Sequence, residues 1–251
     1  THVFLPYGFA VDLNMMDTDG SRVRKFRIGD RVKGAPLLQP GPHSFDGAYT
    51  QMTIDWRGYK LQVESAAMGL KNVILIRPLT ETKKGGRLVV IPESLWKRGN
   101  TLSVDSLGFT LASRDKVVEI KTYIEGELLE KKGREFILSL DTPVAICCGE
   151  NMELDEAIAF INDRARDFIN SNQKQFGENY DCYNAMQSVL AWDNIYAPGI
   201  RRVITPVSRI WSSEWFASED FGGFTLFCWD TYFASMMLSV GNKELAYANA
   251  V

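Results

Sequence analysis

Histidine is scarce in this 251-residue chain: His2 and His43 are the only two, and 41 positions separate them. A Ser–His–Asp triad or a histidine-rich metal site therefore has little material. The four cysteines, Cys147, Cys148, Cys182 and Cys228, match no zinc-ligand spacing, and the adjacent pair is a poor disulfide. They read as buried free thiols. Positive charge is not in excess, with 28 Lys and Arg against 31 Asp and Glu and a net charge of −3. No basic stripe is present, so a nucleic-acid partner is not expected. No apolar run approaches the roughly 18 residues of a membrane helix, and a membrane partner is not expected either. Nothing in the motifs calls for a cofactor or a metal.

An initiator Met is also missing. The chain opens at Thr1 in an apolar stretch, VFLPYGFAV, and stops at Val251 inside a helical pattern, NKELAYANAV. The expectation is a piece of a larger protein, with the remainder of its own chain as a partner. The lack of a leader then says nothing about export. Cytoplasm and periplasm both stay open, with a slight lean from the thiols toward a reducing compartment.

What is present falls into two halves. Residues 1–149 read as strands. In TQMTIDW, Thr50, Met52, Ile54 and Trp56 share one face; Arg57-Gly58 turns the chain; Tyr59, Leu61 and Val63 alternate again. A period of two on both sides of a glycine-containing turn predicts a hairpin. Further short strands are expected over 72–76, 86–91, 101–106, 108–113, 116–124, 135–140 and 143–148. Many evenly spaced strands without intervening helices indicate an antiparallel β-sandwich. The KKGGR and EKKGRE stretches read as solvated hairpin tips.

The pattern changes near Gly149. Leu154, Ile158, Ile161, Ala165 and Phe168 recur at spacings of 4, 3, 4 and 3, one apolar stripe on a helix led by acids. This predicts a linker helix within 150–178. A second helix is expected over about 179–197, ended by Pro198-Gly199, then an irregular stretch. A third is expected from about Phe227 to Val240, stopped by Gly241, and a fourth begins at the cap Asn242. The segment 179–251 thus reads as the start of an α-helical domain.

Aromatic residues crowd this second half. Between Phe176 and Phe233 stand 14 of the chain's 29, including Trp192, Trp211, Trp215 and Trp229. Acids interleave with them: Asp181, Asp193, Glu214, Glu219, Asp220 and Asp230. Flat rings stack on the C–H faces of sugars and carboxylates accept from paired hydroxyls, so an aromatic-lined carbohydrate cleft is one reading. A satellite core under a long loop is the other. Asp230 taken alone is more often a first-turn helix acid stabilised by the helix dipole.

The run YNAMQSVLAWDNIYAPGIRRVITPVSRIWSSEW, followed by FGGFTLFCWDTYFASMMLSVGNKELAYANA, resembles bacterial members of glycoside hydrolase family 63, most densely over about 180–251. The resemblance implies an inverting glycosidase acting on α-glucosides or related α-linked sugars. Its implied fold is an N-terminal β-sandwich before an (α/α)6 barrel, of which 179–251 supplies the first helices. It implies a sugar subsite at Trp229 and Asp230, with Phe227 and Tyr232 as wall residues and Trp215 and Arg209 from the preceding loop. The partner would be an oligosaccharide or glycoside. Gly222-Gly223-Phe224 lacks the arginine that trehalases carry before the same motif. The general acid and base of such enzymes lie downstream of the Trp-Asp motif, so the resemblance places both beyond residue 251 and assigns neither here. The alternative is a carbohydrate-binding or scaffold sandwich module without catalysis.

Overall fold

A computed structural model describes residues 2–4, 9–23, 26, 33–95, 100–106, 108–114, 118–197, 201–205 and 228–250. The contacts divide the chain into two compact units. The first comprises Thr1–Gln39 and Gln51–Arg166, the second Pro40–Thr50 and Asp167–Val251.

Two antiparallel sheets dominate. One has β1 (His2–Phe4), β2 (Phe9–Met16), β8 (Arg87–Ser94), β13 (Glu135–Ser139) and β12 (Leu128–Lys132) side by side, with β3 (Arg22–Val23) paired to β2. The other runs β4 (Leu37–His43), β5 (Tyr49–Trp56), β6 (Tyr59–Met68), β7 (Lys71–Pro78), β14 (Val144–Cys148), β11 (Glu119–Glu125), β10 (Gly108–Ala112) and β9 (Thr101–Val104). Phe9, Val11, Leu88, Val90, Phe136 and Leu138 from the first sheet share one buried cluster with Trp56, Leu61, Ile74, Ile76, Phe109 and Ile146 from the second. The two sheets therefore enclose a common core, as the alternating pattern required. The hairpin at Arg57-Gly58 forms as expected. Both residues have positive φ, 52° and 87°, as a two-residue turn matched to strand twist demands.

Alternation also explains the second buried face of β7. Ile74 and Ile76 point into the shared core, so Val73 and Leu75 lie on the opposite face, where they too are buried. Lys71 and Arg77 share that face. Lys71 Nζ lies 5.1 Å from the Phe160 ring, and Arg77 Nη2 donates to Asn162 Oδ1 at 3.0 Å. Both contacts belong to the first part of helix α1 (Leu154–Phe176), so its residues up to Arg166 run along this face. Ala157 and Ile161 on α1 are fully buried. Arg77 Nη2 also reaches the buried Glu64 carboxylate at 2.5 Å.

One edge of each sheet is blunted. β4 carries Pro40 and Pro42, which cannot donate to an added strand. β12 is exposed throughout and carries Glu130, Lys131 and Lys132 beside a register shift at Leu128/Glu130.

One reading needs correcting. KKGGR is more than a solvated tip, because Lys83 closes a polar cluster around the buried Asp17. Asp17 Oδ1 accepts from Lys83 Nζ at 2.8 Å, Tyr59 Oη at 2.6 Å and the Thr18 backbone N–H at 2.7 Å. Arg57 Nη1 donates to Oδ2 at 3.2 Å. Lys83 also stands 4.7 Å over the Tyr59 ring. Gly86 makes room for that ring, since a Cβ there would come within 2.6 Å of it. Three turns are joined by this carboxylate: the one after β2, the one between β5 and β6, and the 79–86 connection leading into β8.

The Lys83 ammonium, then the Tyr59 hydroxyl, hold the Asp17 carboxyl well below the usual carboxylate range. A lowered folded-state value stabilises the fold above the unfolded-chain pKa. That contribution shrinks as pH falls below about 4 and is lost as pH falls through the folded value. Asp17→Asn is therefore expected to melt several degrees below the native chain at pH 7, with the gap narrowing toward pH 2. Calorimetry across that range checks it; a gap independent of pH would contradict the electrostatic account. The thiols give a second check. Cys147 and Cys148 are buried, and burial pushes both up to about 12. Cys182 and Cys228 are exposed, which corrects the expectation that all four thiols are buried. A thiol reagent at pH 8 should titrate two sulfhydryls in the native chain and four after denaturation.

Candidate functional site

The second unit contains the residues singled out for sugar binding, and its helices explain where they stand. α2 (Tyr180–Asp193) ends earlier than expected. Asn194 leaves the helix with an extended ψ of 132°, and β15 (Ile195–Ala197) pairs antiparallel with β16 (Arg202–Ile204). A β-branched Ile195 next to an extended Asn194 favours a strand over another helical turn. Part of the stretch taken as irregular is thus a short ribbon. α3 (Cys228–Leu238) and α4 (Lys243–Ala250) follow, joined by a turn over 239–241. Asn242 caps α4 as expected, its Oδ1 accepting from Leu245 N at 2.9 Å.

α3 is amphipathic in the reverse of the usual sense. Its buried stripe is Thr231, Ala234 and Ser235, small and partly polar, with Leu238 at its end. Its outward residues are large: Trp229 is 76% exposed, Tyr232 53%, Phe233 56% and Met236 66%. Small inward residues let α3 approach α4 closely, and Ala234, Leu238 and Ala246 form a cluster with Leu190 of α2. Gly241 is required by the same close packing. A Cβ there would sit 2.0 Å from the hydroxyl of Tyr183, whose ring stacks on Phe176 at 3.5 Å.

Polar groups fill the inner side. The buried Asn249 of α4 accepts from Thr205 N at 2.8 Å and donates to Ser235 Oγ at 3.0 Å and the Thr231 carbonyl at 3.3 Å. Thr205 Oγ1 donates to Asn194 Oδ1 at 2.6 Å. Asn172 of α1 donates to Gln187 of α2 at 3.0 Å, both buried.

Of the six residues proposed for the subsite, Trp229, Asp230 and Tyr232 occupy the first turn and a half of α3. Phe227, Trp215 and Arg209 lie outside the described residues, as do Trp211, Glu214, Glu219 and Asp220. On a helix surface, residues three and four apart are neighbours. Trp229 therefore flanks Tyr232 and Phe233, and Asp230 flanks Phe233. The Asp230 carboxylate is exposed and has no hydrogen-bond or ion-pair partner among the described residues. This short face combines flat apolar rings with one available acceptor, a combination suited to a polyol ring. Phe233 and Asn249 were missed by sequence reasoning. Phe233 could have been found from its four-residue spacing to Trp229, whereas Asn249 left no such signal.

The two Trp-Asp pairs, at 192–193 and 229–230, are not equivalent. Trp192 is partly buried; its Nε1 donates to the Gly41 carbonyl at 2.8 Å and its ring meets His43 edge-on at 4.8 Å. It anchors the 40–50 hairpin tip and is less exposed than Trp229.

Among the described residues no group of three or more His, Cys, Asp or Glu is placed to hold a metal ion, and no helix is long and apolar enough to cross a membrane. No protein-family model and no curated protein matches the chain.

Gly241→Ala should cost about 1–3 kcal/mol by overpacking against Tyr183. Adding Tyr183→Phe, which deletes the nearest atom, should recover part of that loss in urea unfolding. Additive costs in the double variant would show that the two residues do not meet.

Proposed function

We propose that this chain is the N-terminal part of an inverting glycoside hydrolase of the family 63 type, acting on α-glucosides or related α-linked sugars. In this reading the first turn of α3 forms part of the subsite for the non-reducing sugar. The supporting observation is the outward set Trp229, Asp230, Tyr232 and Phe233. Large rings held in water on a helix whose inner stripe is small are costly as filler, and such a patch marks a binding surface. A ring face desolvates the C–H side of a pyranose, while a carboxylate accepts charge-assisted bonds from two neighbouring hydroxyls.

The same reading takes α2, α3 and α4 as early helices of an (α/α)6 barrel and gives wall positions to Phe227, Trp215 and Arg209. Asp230 binds and is not the catalytic acid. Inversion needs one carboxylic acid to protonate the leaving oxygen and a second carboxylate, roughly 6.5–9.5 Å away, to activate water. The proposal assigns neither role within residues 1–251.

Titration of the chain with maltose tests the reading. Trp229→Ala and Asp230→Ala should each weaken binding about tenfold or more while leaving the melting temperature nearly unchanged, because both side chains are exposed. Binding that survives both substitutions would place the sugar elsewhere and favour the sandwich as a binding module. No binding by the native chain would reject the subsite.

A further inference from the structure

Trp229 and Asp230 are exposed and make no hydrogen bond or ion pair among the described residues, so within these residues their placement depends on what fixes the start of α3. One side chain joins the main chain on both sides of residues 206–227. The Asn249 carbonyl accepts from the backbone N–H of Thr205, and its amide donates to the Thr231 carbonyl and the Ser235 hydroxyl. Thr231 directly follows Asp230. The Ser235 hydroxyl donates in turn to the same Thr231 carbonyl at 2.7 Å. Asn249 is buried and uses its carbonyl and its amide, and no residue with only a donor or only an acceptor could replace it. Through Thr205 Oγ1 and Asn194 Oδ1 the network continues to the end of α2.

We propose that Asn249 is a positioning residue for the α3 platform: it fixes the first turn of α3 to the chain at Thr205 and so sets where Trp229 and Asp230 stand. The proposal rests on the sugar-subsite reading for its functional consequence, but its structural part can be read without ligand. Cys228, exposed at the first position of α3, can carry a nitroxide label in a Cys182→Ser background. Asn249→Ala should sharpen the label's spectrum, as the first turn of α3 loosens. In unlabelled protein it should weaken maltose binding about tenfold. Gln187→Ala serves as the comparison, because it breaks a buried bond to Asn172 in the same unit and no described hydrogen bond joins Gln187 to α3. At a matched loss of melting temperature, Gln187→Ala should leave both the spectrum and the affinity as in the native chain.

Equal spectra and equal affinities for the two variants would overturn the assignment and reduce Asn249 to an ordinary buried amide. If the native chain binds no maltose, the subsite reading falls. The spectrum alone then decides whether Asn249 orders α3, and an unchanged spectrum refutes it.

Discussion

A single carboxylate, that of Asp17, closes one end of the sandwich. Sheets packed face to face can slide unless something pins their ends, and apolar side chains provide little directional restraint. Asp17 provides it with donors from three separate turns, two leading into strands of one sheet and one joining strands of the other. The arrangement holds because the charge is matched. Lys83 and Arg57 bring two cations to Asp17 and its neighbour Asp19. Tyr59 contributes both a hydroxyl to the carboxylate and a ring face to the ammonium. A carboxylate enclosed there without those donors would be unfavourable. With them, it fixes register where alternation alone leaves it loose.

The second unit handles polarity differently. α3 turns its small and hydroxyl-bearing residues inward and its rings outward, so the apolar gain per buried residue is low. Directional bonds make up part of the difference. Asn249, Ser235, Thr205 and Asn194 form a connected set in which each amide or hydroxyl has a partner. Buried bonds of this kind restrain the groups they join. Close approach of α3 and α4, permitted by Ala234 and Ala246, is what brings those short side chains within reach of one another.

How far the sequence revealed this depends on the range of the forces involved. The Arg57-Gly58 hairpin and helix α1 were legible because periods of two and of about 3.6 are local and repeat over many residues. The Asn242 cap was legible for the same reason, since donor and acceptor are three positions apart. Lys83 was misread because a lysine beside glycines looks solvated until Asp17, 66 positions away, is brought beneath it. The end of α2 was misjudged because Pro198-Gly199 is the louder stop signal, while Asn194 leaves the helix first. Asn249 was invisible because its partner at Thr205 lies 44 positions away and the bond runs to a backbone group that every residue possesses. Trp229 and Trp192 show the limit most plainly. The same dipeptide serves as a half-buried anchor in one place and as an exposed face in the other.

The distinction between the two tryptophans bears on what an exposed ring means. Trp192 saturates its only donor on a carbonyl and has an aromatic edge contact, so its environment accounts for it. Trp229 has neither among the described residues, and its helix neighbours Tyr232 and Phe233 are equally open. A lone exposed ring is ordinary on a protein surface. A row of them over one and a half turns, next to a carboxylate with no partner among the described residues and above an inner face tied down by a buried amide, is a held surface. Rigidity beneath and exposure above are what a stacking subsite requires, because the entropy of ordering the rings is then spent on folding and not on each binding event.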